Sequence, residues 1–180
     1  MAAAARHAPL GQRDALSLLR AEHDMLLRLF HEYELLQSCQ ARDDGRKALL
    51  ARRICRELMV HAALEEQAFY PAVAQAAGSA LLDDALVEHD AQRLLIGQLR
   101  SLYPDDPCFG ATIAVLAEET RHHIAHEQGA LFGCARSCGL DLQLLAQQLA
   151  ARRKALERGT DAHAAAAHAA AFAWSPRLDE

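Results

Sequence analysis

Two short stretches carry most of the chemistry available to this sequence. His61 and Glu65 lie four residues apart in His61-Ala62-Ala63-Leu64-Glu65, and His123 and Glu127 repeat the arrangement in His123-Ile124-Ala125-His126-Glu127. Four residues of α-helix rise about 6 Å and return to nearly the same face, so imidazole and carboxylate project together, one turn apart. That is a chelating geometry, and its donor set suits iron, manganese or zinc. One such pair arises by chance on many surface helices. Two pairs, each inside an apolar stripe, form a pattern.

A histidine ahead of each pair extends it. Glu22-His23-Asp24 precedes the first and Glu88-His89-Asp90 the second, giving the order His, HxxxE, His, HxxxE with a period of about 60 residues. Two copies of so long a unit read as a duplicated helical hairpin, not as an open solenoid.

Gathering His23, His61, Glu65, His89, His123 and Glu127 requires four helices whose inner faces meet at one level. Composition favours this: hydrophobic residues make up 52% and aromatics 5%, so the apolar content is mainly Ala and Leu. Residues 1–11 read as a flexible lead. Over 12–40 the positions Leu16, Leu19, His23, Leu26, Phe30 and Tyr33 follow a three-four spacing. After a turn at 41–45, a second helix runs to about Ala77 with Leu50, Ile54, Leu58, His61, Glu65 and Ala68 on one face. Pro71 is expected to kink or break it. Gly78-Ser79 turns the chain into a third helix, 80–103, with Leu82, Leu86, His89 and Ile96 inward. Pro104-Asp105-Asp106-Pro107 ends that helix, and a fourth over 108–138 turns Ile113, Leu116, Thr120, His123, Glu127, Ala130 and Cys134 inward. Gly139 is the expected C-terminal cap. A shorter fifth helix follows to about Arg158, with Arg152-Arg153-Lys154 solvated. The fold class is therefore all-α: an up-down four-helix bundle over 12–158 including the fifth helix, then a flexible, low-complexity Ala-rich tail over 159–180.

Measured from the turns, all six candidates sit at similar distances along their helices, so one axial level accommodates them. For His23 taken alone, a structural histidine with satisfied nitrogens is the better reading. Four imidazoles and two carboxylates together are not explained that way, because two buried carboxylates without cations would be driven to protonation or exposure. Two metal ions resolve the conflict, with coordination positions left for water, oxo or hydroxo groups and an exogenous small molecule.

The remaining composition excludes other classes. Net charge is −5 without a basic stripe, which argues against nucleic acid as partner. No apolar run reaches the ~18 residues of a membrane span, and the N-terminus lacks the apolar core of a signal peptide. A cytoplasmic location with reduced thiols fits the odd count of five cysteines.

These residues resemble the hemerythrin-like HHE cation-binding family, over about Leu16 to Leu156. The likeness rests on Glu22-His23-Asp24, His61 and Glu65 with Glu66 and Phe69-Tyr70-Pro71, Glu88-His89-Asp90, and His123 and Glu127 with Leu131-Phe132. It implies a four-helix bundle with a non-haem di-iron centre, in which those six residues are ligands and Glu65 and Glu127 bridge. Where the oxygen-carrying hemerythrins have a second histidine on the third helix, this chain has Arg93. Their last helix spaces His and Asp by five, whereas His123 and Glu127 are four apart. The chain is thus similar to the more symmetric branch, which includes iron-centre repair proteins.

Several residues fall outside the repeated set. His31, His122 and His126 flank the stripes and read as surface or packing residues. Cys134 and Cys138 read as core thiols. Arg93 is expected either to pair with Glu119, to screen the carboxylates or to be solvated. Glu66 lies off the inner face. The expected function is binding or sensing of oxygen, nitric oxide or peroxide at an oxo- or hydroxo-bridged di-iron site. The alternatives are a di-iron oxidoreductase or iron donor for iron–sulfur repair, and a metal-storage or structural protein.

Overall fold

The structure, a computed structural model, describes residues 14–38 and 44–169, with side chains through 159. The expected lead at 1–11, positions 41–43 of the first turn and the end of the tail lie outside the described residues.

Among the described residues there are seven α-helical segments: α1 (Ala15–Ser38), α2 (Asp44–Leu64), α3 (Tyr70–Ala77), α4 (Asp83–Leu99), α5 (Pro107–His126), α6 (Phe132–Ser137) and α7 (Leu142–Ala169). Two π-helical turns, Glu65–Phe69 and Glu127–Leu131, join α2 to α3 and α5 to α6 without interrupting the rods. The result is the expected all-α bundle, built from α1, the rod over 44–77, α4 and the rod over 107–137. α7 packs against α1, α2 and the first π turn. Among the described residues there is no strand, and no helix is long and apolar enough to cross a membrane.

Local chemistry accounts for the ends. Asp14 Oδ1 accepts from Ser17 N at 2.7 Å to start α1, and Asp106, ahead of Pro107, accepts from Cys108 N at 2.7 Å to start α5. Asp141 does the same for α7 through Gln143 N and Leu144 N. Gly78 and Gly139 adopt φ of 90° and 71°, left-handed values that suit glycine where these helices stop. α7 runs on past Arg158 to Ala169, because the alanine-rich segment has high intrinsic helix propensity.

Pro71 does not break its helix. The wider π turn ahead of it, closed by Tyr70 N–H to the Glu65 carbonyl, removes the clash its ring would make with the preceding turn. The second π turn forms with Gly133 at the corresponding position, so proline is not its cause. Each π turn also shifts the helical register. Ala68, Ala130 and Cys134, expected inward, are only half-buried, and Phe69, Tyr70, Leu131, Phe132 and Ala135 take the inner face instead. On α4 the inner place ahead of His89 goes to Ala85, four residues before it, and Leu86 is exposed.

The interior divides into two apolar clusters. One gathers Leu16, Leu19, Leu64, Phe69, Val73, Phe132, Leu145 and Leu149; the other gathers Leu26, Phe30, Ile54, Leu58, Ile96, Ile113 and Leu116. On α1, on α4 and along the rod over 107–137 the buried polar residues fall in sequence between the stretches that feed the two clusters.

Candidate metal centre

All six sequence-predicted residues are buried, and the bundle brings them together: His23, Glu65 and Glu127 at 0% exposure, His89 and His123 at 1%, His61 at 3%. They form two donor groups. His23, His61, Glu65 and Glu127 make the first; Glu65, His89 and His123 make the second. Glu65 belongs to both. Its Oε1 lies 2.9 Å from His61 Nε2 and 3.6 Å from His23 Nε2, while its Oε2 lies 3.2 Å from His89 Nε2 and 3.6 Å from His123 Nε2. Glu127 stands with the first group only, its Oε2 3.0 Å from His23 Nε2.

The histidines are held from behind by residues adjacent in sequence to the donors. His61 Nδ1 is 3.0 Å from Glu22, His89 Nδ1 is 2.7 Å from Glu66, and His123 Nδ1 is 2.9 Å from Glu88. A carboxylate accepts Nδ1–H and leaves Nε2, in a neutral ring, with its lone pair facing the centre. Gln128 Nε2 stands 2.9 Å from His23 Nδ1 and donates to it; a half-turn of the amide would put its oxygen there to accept Nδ1–H, as the carboxylates do for the other rings. Successive helical residues are rotated by about 100°, so a donor aimed at the axis places its neighbour at the seam with the adjoining helix. The exchange crosses the repeat: the first π turn holds His89 and the second holds His23. Aromatic rings follow the same rule, with Tyr70 stacked on His89 at 5.7 Å and Phe132 on His23 at 5.9 Å between centroids.

A further layer of basic side chains surrounds these carboxylates. Arg93 pairs with Glu66 and with Asp90, not with Glu119. His122 and His126 approach Glu88 at 3.3 and 3.5 Å. Arg153, expected to be solvated, is half-buried, and its Nη1 lies 2.9 Å from Glu22.

Burial and proximity set the charges of the donors. Burial opposes charging His61, yet Glu65 and Glu22 outweigh it and raise its pKa well above 6.5. Burial likewise resists charge on His123, and Glu65, Glu127 and Glu88 again raise it. Burial pushes Glu65 up, but His61 and the other imidazoles hold it well below 4.5. Glu127 is raised, first by burial and then by the charge on Glu65. Without metal, protons on imidazole must therefore balance two buried carboxylates. Even then His23 Nε2, His61 Nε2, Glu65 Oε1 and both Glu127 oxygens have no hydrogen-bond partner. Buried polar atoms so abandoned cost about 1–3 kcal/mol each. Gln92 Nε2 and Arg153 Nη1 are unsatisfied elsewhere, but the atoms on His23, His61, Glu65 and Glu127 lie together as nitrogen and oxygen donors, as metal ligands would.

Tyr70 O–H donates to Glu65 Oε2 at 3.4 Å. Burial, then the nearby carboxylates, raise its pKa, so it remains a phenol.

The centre's outer layer was largely missed by sequence reasoning. Glu22 and Glu88 stood in the quoted Glu-His-Asp triplets, and Glu66 beside Glu65, yet none was given a role. Their recurrence at matching positions was the available signal. Arg153 belongs to no repeat and offered none.

An antiparallel bundle enclosing a buried cluster of imidazole and carboxylate defines a class of cation-binding helical proteins. The hemerythrin HHE cation binding domain model matches residues 14–135, and the chain belongs to that family. A crystal structure of a hemerythrin HHE cation binding domain-containing protein from Mycobacterium kansasii superposes with a TM-score of 0.71 at 18% identity, covering 84% of this chain and 91% of that one. A DNA nickase from Nostoc sp. (strain PCC 7120 / SAG 25.82 / UTEX 2576) is 25% identical over 120 residues, 67% of this chain and 33% of the relative. The chain thus spans about a third of that protein's length.

Proposed function

We propose that the centre holds two iron ions and that the protein binds or senses oxygen, nitric oxide or peroxide there. The observation that carries this reading is Glu65, whose two oxygens face different pairs of histidines. A shared carboxylate between two imidazole pairs is the arrangement of a bridged dinuclear site. His23, His61, Glu65 and Glu127 would hold one ion, and His89, His123 and Glu65 the other. Bound iron would supply open coordination positions and redox chemistry toward a small ligand. The chain's own residues do the rest: Glu22, Glu66 and Glu88 keep Nδ1–H outward, and the apolar clusters keep bulk water from the donors.

A second reading, turnover of peroxide or nitric oxide, is favoured by Tyr70. Its phenol sits against the shared carboxylate, where it can hold a proton beside the reacting ligand.

The test is metal analysis of protein purified without oxygen, with optical spectra before and after oxygen, nitric oxide and peroxide. Two irons per chain and a stoichiometric spectral change support binding; sustained consumption of peroxide or nitric oxide supports the second reading. A chain that takes up no metal overturns both.

A further inference from the structure

α7 lies beyond the family-matched residues 14–135, yet one of its side chains reaches the layer behind the donors. Arg153 stands at the seam of α1 and α2. Its Nη1 forms an ion pair with Glu22 Oε1 at 2.9 Å without the alignment of a hydrogen bond, while its Nη2 donates to Glu57 Oε2 at 2.8 Å and its Nε donates to Glu157 Oε1 at 3.0 Å. Glu22 uses its other oxygen, Oε2, to accept from His61 Nδ1 at 3.0 Å. The order from surface to centre is Arg153, Glu22, His61, Glu65.

We infer that Arg153 is a positioning residue for the metal centre, and that α7 completes the centre by fixing Glu22 behind His61. The inference rests on the metal-binding reading above. Its physical reason is geometric. A glutamate side chain has three rotatable bonds, and the single acceptor contact to His61 leaves most of that freedom. The guanidinium is planar and always charged, and here its fork is tied at two further points, Glu57 and Glu157, so Glu22 meets a fixed partner. α7 itself is anchored by Leu145, Ala146 and Leu149 in the apolar cluster that includes Leu64 and Phe69. Arg152 adds a bond to Gln67 in the first π turn. The helix therefore presents Arg153 from a rigid base.

The other rear carboxylates show why this matters. Glu66 is held by Arg93 from within the bundle, and Glu88 by His122 and His126 from α5. Among the described pairs, Glu22 alone of the three takes its basic partner from α7.

The experiment loads the full chain with cobalt(II) and measures its visible absorption and its rate of loss to a chelator. The proteins compared are the parent, Arg153→Ala, Arg153→Lys, Glu22→Gln and the double variant Glu22→Gln/Arg153→Ala. Leu149→Ala serves as a control that loosens α7 without removing the cation. Loss of a rear carboxylate costs roughly 10–100-fold in metal affinity, so Glu22→Gln is expected to release cobalt at least tenfold faster. Arg153→Ala, one layer further out, is expected to release it about threefold to tenfold faster with a shifted spectrum. Arg153→Lys restores the charge and part of the retention. The deciding result is the double variant: it should match Glu22→Gln, because Arg153 acts through Glu22. Full multiplication of the two single effects, or an equal spectral shift in Leu149→Ala, overturns the inference and leaves metal binding intact. A parent chain that takes up no cobalt, iron, manganese or zinc overturns the metal reading itself, and the inference with it.

Discussion

The two halves of the centre carry the same ligand chemistry but bury their charge at different depths. Apart from the shared Glu65, the first half has Glu127 among its donors and Glu22 behind His61. The second half has no further carboxylate in its donor group, but Glu66 and Glu88 stand behind both of its rings. Each half thus has two additional carboxylates. The first backs His23 with the neutral Gln128 and stacks it on Phe132; the second backs His89 with Glu66 and stacks it on Tyr70. Duplication supplied equivalent donors, and substitution one position away made the halves unequal. A half with a carboxylate among its donors offers a metal more direct charge, whereas the other relies on imidazoles made more basic by their partners.

The largest effect is expected where the halves meet. Glu65→Gln keeps the volume and removes the charge that both halves share. Metal content should fall from about two ions to below one per chain, and the spectral response to oxygen or peroxide should vanish while circular dichroism is preserved. Two ions retained in this variant would remove the basis for a shared bridge.

Glu127→Gln should act on one half only. Stoichiometric titration is expected to show one site weakened by roughly tenfold or more and the other little changed, because Glu127 stands with His23 and not with the His89 group. Equal weakening of both sites would mean that Glu127 bridges as well.

A smaller effect follows from exchanging the rear partners. Spacing along the helix puts Glu66 off the inner face, where a change to glutamine is expected to matter little. Its 2.7 Å contact with His89 Nδ1 changes that expectation. Glu66→Gln should weaken the second half by about tenfold, the lower end of what such partners contribute. It would also make the second half resemble the first, which already uses glutamine. Unchanged metal retention would show that amide and carboxylate are equivalent here.

The mildest test is pH. His61 and His123 have folded pKa values raised above 6.5, so their stabilisation of the metal-free bundle is fully present below 6.5 and is lost as pH rises through the raised values. The raised Glu127 works in the same direction, and the lowered Glu65 matters only below 4.5. Metal competes with these protons, so its binding strengthens over the range where they leave. The melting temperature of the chelated protein should decline by a few degrees above pH 6.5, and the gap to the metal-loaded protein should widen. A gap that narrows with rising pH would contradict this sign.

Much of this protein was determined by local rules that a sequence states directly. The three-four spacing of leucines with His23, His61, His89 and His123 specified four helices and their inner faces, since helical periodicity depends on nothing beyond the chain itself. Gly78, Gly139 and Asp106-Pro107 announced their turns for the same reason. The six inward donors and their single level were legible because a repeat places equal side chains at equal heights.

Tertiary structure decided the rest. That Glu65 faces both halves while Glu127 faces one depends on how four rods pack, and no spacing along one rod contains that information. The π turns were invisible to a 3.6-residue period. Once formed, they shifted Ala130 and Cys134 off the inner face and brought Phe132 onto His23. Pairings across long sequence separations were equally out of reach: Glu22 with His61, Glu66 with His89, and Arg153 with Glu22. Glu22, Glu66 and Arg153 are charged, and on a helix taken alone a charged residue beside the apolar stripe reads as solvated. Only the neighbouring helix turns it into a partner.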